Sequence, residues 1–267
     1  MMNSYSMTQL ARSVANAMGI EAPASSGPSI SSVDRLVGDK LPNKAERVLI
    51  YNPDCIGHWF WQKYTEMFLP VEKYTQLAVP VATVMPSWTP VCFGTMYTGA
   101  LPAVHGIQGY FKPVIKTDSL FDAAVRAGKK VALVAVANSS MEKIFAEREI
   151  GYYIMPYDTE ATEKGLELLQ EDKYDLVVVY NQEYDDMIHT HTPEAPESMA
   201  AASHHVADFD RLASTAERVW KEKGRDGLIV WASDHGCHVD WEGHGNHGEF
   251  REEDINVMHF YGVVSGK

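Results

Sequence analysis

The stretch YDLVVVYNQEYDDMIHTH, residues 174–191, changes character halfway along. Leu176 to Tyr180 is a continuous apolar run with no polar alternation. Such a run suits a strand buried on both faces of a mainly parallel sheet. Directly after it come Asp185, Asp186, His189 and His191. Ligands in open parallel sheets bind beyond the carboxyl ends of the strands. The first half therefore reads as scaffold and the second as part of a site.

The same pattern recurs along the chain. ERVLIYNPD (46–54) is apolar and ends in Asp54, and GLIVWASD (227–234) ends in Asp234 with His235 next. Just beyond lies WEGHGNHGE (241–249), which carries His244 and His247. KKVALVAVAN (129–138) and INVMHFYGVV (255–264) complete the strand candidates. Helical patterns lie between them: SLFDAAVRAGK (119–129), DTEATEKGLELLQED (158–172) and ESMAAASHHVADFDRLASTAERVWKEKG (197–224). This order predicts one α/β domain over residues 1–267, a three-layer α/β/α sandwich with a mainly parallel central sheet. The segment EAPASSGPSISS (21–32) reads as a linker. Residues 1–45 are expected to form an N-terminal helical segment and linker packed on the core. His204 and His205, inside the long helical pattern, are expected at the surface.

Charge narrows the partners. The formal net charge is −13, which argues against nonspecific binding of a nucleic acid polymer, since that needs a basic surface. An anionic small molecule would have to be held locally, by metal ions or a few cationic groups. No apolar run reaches the ~18 residues of a membrane span. The N-terminus shows no basic region leading into an apolar one. Together with three cysteines, an odd number with no pairing framework, this leads to the expectation of a reducing, cytoplasmic location.

Chemistry concentrates at the predicted strand ends. Sets of carboxylates and imidazoles suit zinc, or manganese and its neighbours, and there are enough here for two ions. Asp185 and His189 are four apart, so one helical turn aims both at one cation. Asp234 and His235 are adjacent and would point oppositely on a strand. They must sit just past its end, in a turn permitted by Gly236. A second segment, PSWTPVCFGTMYTGALPAVHGI (86–107), brackets Thr89 with Pro86 and Pro90. The run after it reads as a helix that starts at Thr89. A threonine hydroxyl becomes a competent nucleophile when a divalent cation lowers its pKa. The helix start would add N–H groups for a phosphoryl oxygen.

With these residues in hand, the chain resembles the alkaline phosphatase superfamily, in its type I phosphodiesterase/nucleotide pyrophosphatase branch. Residues 86–107 match that branch's pattern P-x-x-T-x-P-x-x-x-x-x-x-T-G-x-x-P-x-x-H-G-I at its Thr, T-G, Pro and H-G-I. EYDDMIHTHTP (183–193) matches E-x-D-x-x-x-H-x-H-x-P, SDHG (233–236) matches the third motif, and GNHG (245–248) precedes the last strand as G-x-H-G does. The resemblance covers residues 46–107 and 174–264. It implies one metal held by Asp185, His189 and His247, and another held by Asp54, Asp234, His235 and the Thr89 oxygen. It also implies a covalent phospho-threonine intermediate on a small phosphate ester or nucleotide-like substrate. Two departures stand out. Many members carry Asn three residues after the nucleophile, where this chain has Cys92. Cys92 and His191 are the expected substrate-facing positions. The family's usual C-terminal T-D-I-A-P-T-I-A segment is echoed at the front by TQLARSVANAMGIEAP (8–23), as in a circular permutation.

Blander readings stand beside these. A lone Asp at a strand end is commonly a turn residue, and a lone Thr before a helix is commonly an N-cap. His244 competes with His247. Cys55 and Cys237 flank ligands but read as small buried residues, and Trp59, Phe60 and Trp61 read as core. Three functions remain in play: hydrolysis of phosphodiester or nucleotide pyrophosphate bonds; phosphomonoester or phosphonate hydrolysis or phosphomutase chemistry at the same two-metal site; and a non-catalytic metal-binding or sensing domain.

Overall fold

The computed structural model describes residues 2–267. Its strands are β1 (Tyr5–Ser6), β2 (Arg47–Pro53), β3 (Leu77–Ala82), β4 (Val131–Val136), β5 (Gly151–Met155), β6 (Leu176–Asn181), β7 (Gly227–Ala232), β8 (His238–Val239), β9 (Gly245–Asn246) and β10 (Asn256–Val264). Eight of them make one sheet in the order β1-β3-β10-β7-β2-β6-β4-β5, while β8 and β9 pair as a small hairpin. β10 runs antiparallel to both neighbours. Every other pairing in the large sheet is parallel.

The apolar runs lack alternation because both faces of the sheet are covered. On β2, Val48 and Ile50 join one apolar cluster with residues of the helices Leu10–Met18, Thr89–Thr98 and Leu120–Arg126. Leu49 and Tyr51 join the other, with residues of the helices Asp158–Glu171 and Pro196–Glu222. The three-layer α/β/α sandwich expected from the sequence is thus present, and the first helix packs in its core. Residues 21–30 form the irregular connection to the helix Ser31–Lys40.

Some elements escaped the sequence pattern. β3 carries Pro80, a poor residue for a central strand. It is tolerated because β3 pairs with β1 only at Val81 and Ala82, leaving Pro80 no partner on that side. The long helix also corrects an expectation. His204 is exposed and pairs with Glu183 at 2.9 Å, but its neighbour His205 is buried. His205 Nε2 accepts the Tyr184 N–H at 3.2 Å, and Nδ1 lies 3.0 Å from the Tyr51 hydroxyl. The helical period puts His205 on the same stripe as Ala201, Ala202, Phe209 and Leu212. The chain ends lie at opposite ends of β10. Asn3 bonds Asn256 at one end, and Gly266 bonds Asp226 beside the other.

Burial lowers the His205 pKa from its ordinary value to about 3. The unfolded chain therefore takes up this proton first, so the His205 contribution is lost as pH falls from ~6.5 towards 3. His205→Gln removes that uptake. Urea unfolding between pH 6 and pH 4 should show a pH slope shallower than wild type by about 1.4 kcal/mol per unit. Equal slopes would contradict the assignment.

Candidate metal centre

Three adjacent strands, β7, β2 and β6, deliver the carboxylates. Asp54 follows β2 directly, and Asp234 and His235 lie just past β7. After β6 the chain turns into the short helix Glu183–Ile188, which carries Asp185, and His189 caps it in helical conformation. His189 Nε2 lies 3.4 Å from Asp185 Oδ2, as the spacing of four predicts. β10 begins at this same edge because it runs antiparallel, so the segment before it brings His247 in. His247 Nε2 lies 3.4 Å from Asp185 Oδ1. His235 Nε2 lies 3.4 Å from Asp54 Oδ1 and 3.3 Å from Asp234 Oδ2. The His235 and His247 rings stack with centroids 3.9 Å apart. Two ligand clusters result, Asp54–Asp234–His235 and Asp185–His189–His247. A third grouping, Cys55–Asp185–His235, shares members with both.

The imidazoles are aimed by backbone carbonyls. His235 Nδ1 donates to the Gly236 carbonyl at 3.1 Å, and His247 Nδ1 donates to the Ser87 carbonyl at 2.9 Å. Such outer contacts fix the ring and its tautomer. Burial, then His247, holds the His235 pKa well below its ordinary value. His235 is therefore neutral, and its Nε2 lone pair faces two carboxylates. Asp54 Oδ1, Asp185 Oδ1 and Asp234 Oδ2 are buried without a hydrogen-bond partner. Lone pairs facing carboxylate oxygens repel unless a cation lies among them. This residue set fits two divalent cations, and its mixed oxygen and nitrogen donors suit zinc or manganese.

Without a cation the charges settle unevenly. Burial, then Asp234, raises the Asp54 carboxyl well above its usual range. Burial raises Asp234 to about 7. At the second cluster burial opposes both charges, but mutual attraction wins. Asp185 is held well below its usual range, and His247 rises to about 9. The Tyr180 hydroxyl donates to Asp54 Oδ2 and fixes that carboxylate.

Thr89 opens the helix Thr89–Thr98 and is 5% exposed. Its Oγ1 lies 3.2 Å from His235 Nε2, which can only accept, so the hydroxyl points into the first cluster. The expected donation from the helix start is smaller than foreseen. Pro90 has no N–H, and those of Val91 and Cys92 both bond the Trp88 carbonyl at 2.9 Å. The turn after Asp234 also differs from expectation. Gly236 is needed for space, because a Cβ there would meet the Glu253 carbonyl at 2.1 Å. The left-handed residue beside Asp54 is Cys55, with φ 67°.

Not every expected residue reaches the site. Cys92 is fully buried in the core, with Sγ 2.9 Å from the Thr83 hydroxyl, and does not face substrate space. His191 turns away too. Its Nδ1 bonds the Met187 carbonyl at 3.1 Å, and its own carbonyl accepts the Gly245 N–H. His244 is tied to Asp240 in the hairpin turn, whereas His247 is at the cluster. A cavity of about 160 Å³ adjoins Asp54, Thr89 and Asp185. Tyr110, Lys112, Asn138, Ser139, Ser140, Tyr180 and Gln182 also line it, none of them singled out by sequence pattern. Asp186 is in the cavity wall and accepts from Tyr157 at 2.7 Å.

Comparison with known proteins fits this geometry. No curated protein matches the chain by sequence. Among solved structures, the Sinorhizobium meliloti 1021 phosphonoacetate hydrolase in complex with phosphonoformate is 15% identical, with a TM-score of 0.56. That match covers 76% of this chain and 60% of the other. Human ectonucleotide pyrophosphatase / phosphodiesterase 5 is 19% identical at a TM-score of 0.56, covering 73% of this chain and 58% of the other. The C-terminal periplasmic domain of EcEptC from Escherichia coli is 13% identical at 0.52, covering 84% and 73%. These likenesses establish the shared fold. The chain spans about three fifths of the length of the first two. The profile described as type I phosphodiesterase / nucleotide pyrophosphatase matches residues 73–239. That span contains Thr89, Asp185, His189, Asp234 and His235, and it covers well over half the chain. The chain belongs to the type I phosphodiesterase / nucleotide pyrophosphatase family.

Proposed function

We propose that the protein hydrolyses phosphate esters, with diesters or nucleotide pyrophosphate bonds foremost, and that Thr89 is the nucleophile. The observation that carries this reading is the Thr89 hydroxyl, held 3.2 Å from His235 Nε2 at the mouth of a buried carboxylate–imidazole cage. One cation would be held by Asp54, Asp234 and His235, the other by Asp185, His189 and His247; zinc is the first choice and manganese the second. When bound, the cations lower the Thr89 hydroxyl pKa and offset charge on the phosphoryl oxygens.

Thr89 Oγ1 attacks phosphorus as the bond to the leaving oxygen breaks, giving a phospho-threonine ester; the hydroxyl proton passes to solvent and the leaving oxygen takes one up. Water then attacks phosphorus and releases Thr89. The Ser87 and Gly236 carbonyls hold the two imidazoles in orientation throughout, and Tyr180 holds Asp54. Burial of Thr89 and of the Asp54–Asp234–His235 cluster excludes bulk water there and strengthens each electrostatic contact, while His189 leaves the second cluster open to solvent. The three unpaired, buried thiols suit a reducing compartment, in keeping with the cytoplasm. Among the described residues, no helix is long and apolar enough to cross a membrane.

Thr89→Ala should lower the rate on a nitrophenyl phosphodiester by about 10³-fold or more, while leaving the metal content of the purified protein unchanged. Normal turnover in that variant would refute the nucleophile. Asp234→Asn should lower bound metal, read by elemental analysis after gel filtration, from about two ions to about one. Unchanged content would remove Asp234 from the ligand set. A nitrophenyl monoester run alongside tests the diester preference, which faster monoester cleavage would reverse.

A further inference from the structure

Lys112 is the one lysine or arginine among the residues lining the cavity beside Thr89. It is half-buried, and burial lowers its pKa from the ordinary value. Its Nζ donates to the Asn138 carbonyl at 3.1 Å and lies 5.5 Å from the centre of the Tyr110 ring. Among the described residues it makes no salt bridge. An ammonium has three donors, and one carbonyl takes only one of them. A cation that is partly desolvated without a carboxylate partner is costly unless something anionic meets it. The rest of the cavity is acidic or neutral, with Asp54, Asp185 and Asp186 against Asn138, Ser139, Ser140 and Gln182. The two cation clusters would neutralise Asp54 and Asp185. Of the charged groups that remain, Asp186 already accepts from Tyr157 and Gln182, and Lys112 is the one cation able to choose among phosphate esters by what else they carry.

We propose that Lys112 is a specificity-determining residue that binds a second anionic group of the substrate while the phosphoryl group lies at Thr89. This rests on the phosphoryl-transfer reading above and deepens it by naming the substrate class: phosphoryl compounds with a further carboxylate or phosphate within a few bonds of phosphorus. Tyr110, exposed beside Lys112, forms the outer wall of that subsite. The competing role is mechanical, with Lys112 only tethering its loop to the turn at Asn138. A tether would affect all ligands alike. A charge contact affects only those that carry the second anion.

Equilibrium binding separates the two without needing turnover. The probes are 2-carboxyethylphosphonate and n-propylphosphonate, similar in length and differing in the carboxylate, titrated into zinc-loaded protein. Wild type should bind the carboxylated probe about tenfold more tightly or better. Lys112→Met, which keeps the aliphatic stem, should bring the two probes within about twofold while leaving n-propylphosphonate affinity unchanged. Lys112→Arg should keep most of the preference. A wild type without preference, or one that binds neither probe, overturns the proposal. So does a Lys112→Met variant that loses both probes equally. A fully active Thr89→Ala protein would refute the nucleophile yet leave this binding difference standing, so the two failures are distinguishable.

Discussion

The parallel pairing of β2 with β7 on one side and β6 on the other is the constraint from which the rest follows. The registers run Leu49 to Ile229 and Leu49 to Val177, so all three strands end together. Whatever follows each strand is forced to the same small volume. Here that volume receives Asp54, Asp234 and the helix bearing Asp185. Burial opposes the charge of these carboxylates, and their mutual repulsion adds to the cost. The raised Asp54 and Asp234 pKa values record that cost. The arrangement makes sense as a framework whose stability is completed by cations, with the sheet supplying the rigidity.

The second layer of control comes from the segment around Thr89. Ser87 uses its carbonyl to orient His247 and its hydroxyl to hold the Gly248 N–H at 3.1 Å. Gly248 takes φ 104°, and the Trp88 indole fills the space where its side chain would be. The two residues before the proposed nucleophile thus fix His247, the last histidine of the candidate centre. His238 and Asp254 brace the same loop through a 2.7 Å contact. A change at Ser87 or Trp88 would therefore disturb both halves of the centre, although neither residue is a ligand.

The sequence made the sheet and its acidic edge readable because each central strand is a long apolar run ending in an ionisable residue. Asp54, Asp185, His189, Asp234, His235 and His247, which the structure gathers at that edge, all stand at the ends of those runs or in the motifs around them. Other features depend on tertiary placement. β3 was hidden by Pro80, which is tolerated only because β1 is so short. His205 looked like half of a polar pair, and only the helical stripe reveals that it faces inward. Cys92 stands three residues after Thr89, but helix geometry turns it towards Thr83 and away from the cavity. Lys112, Tyr110 and Asn138 carry no local signature. They become neighbours only when the loop after residue 107 folds back over the end of β4.

The most direct test of this account is X-ray diffraction from crystals grown with zinc, recorded on both sides of the zinc absorption edge. It predicts two anomalous peaks about 3.5–4 Å apart. One should be enclosed by Asp54, Asp234 and His235 beside Thr89, and the other by Asp185, His189 and His247. A single peak bound by Cys55 with Asp185 and His235, or none at this edge of the sheet, would contradict it.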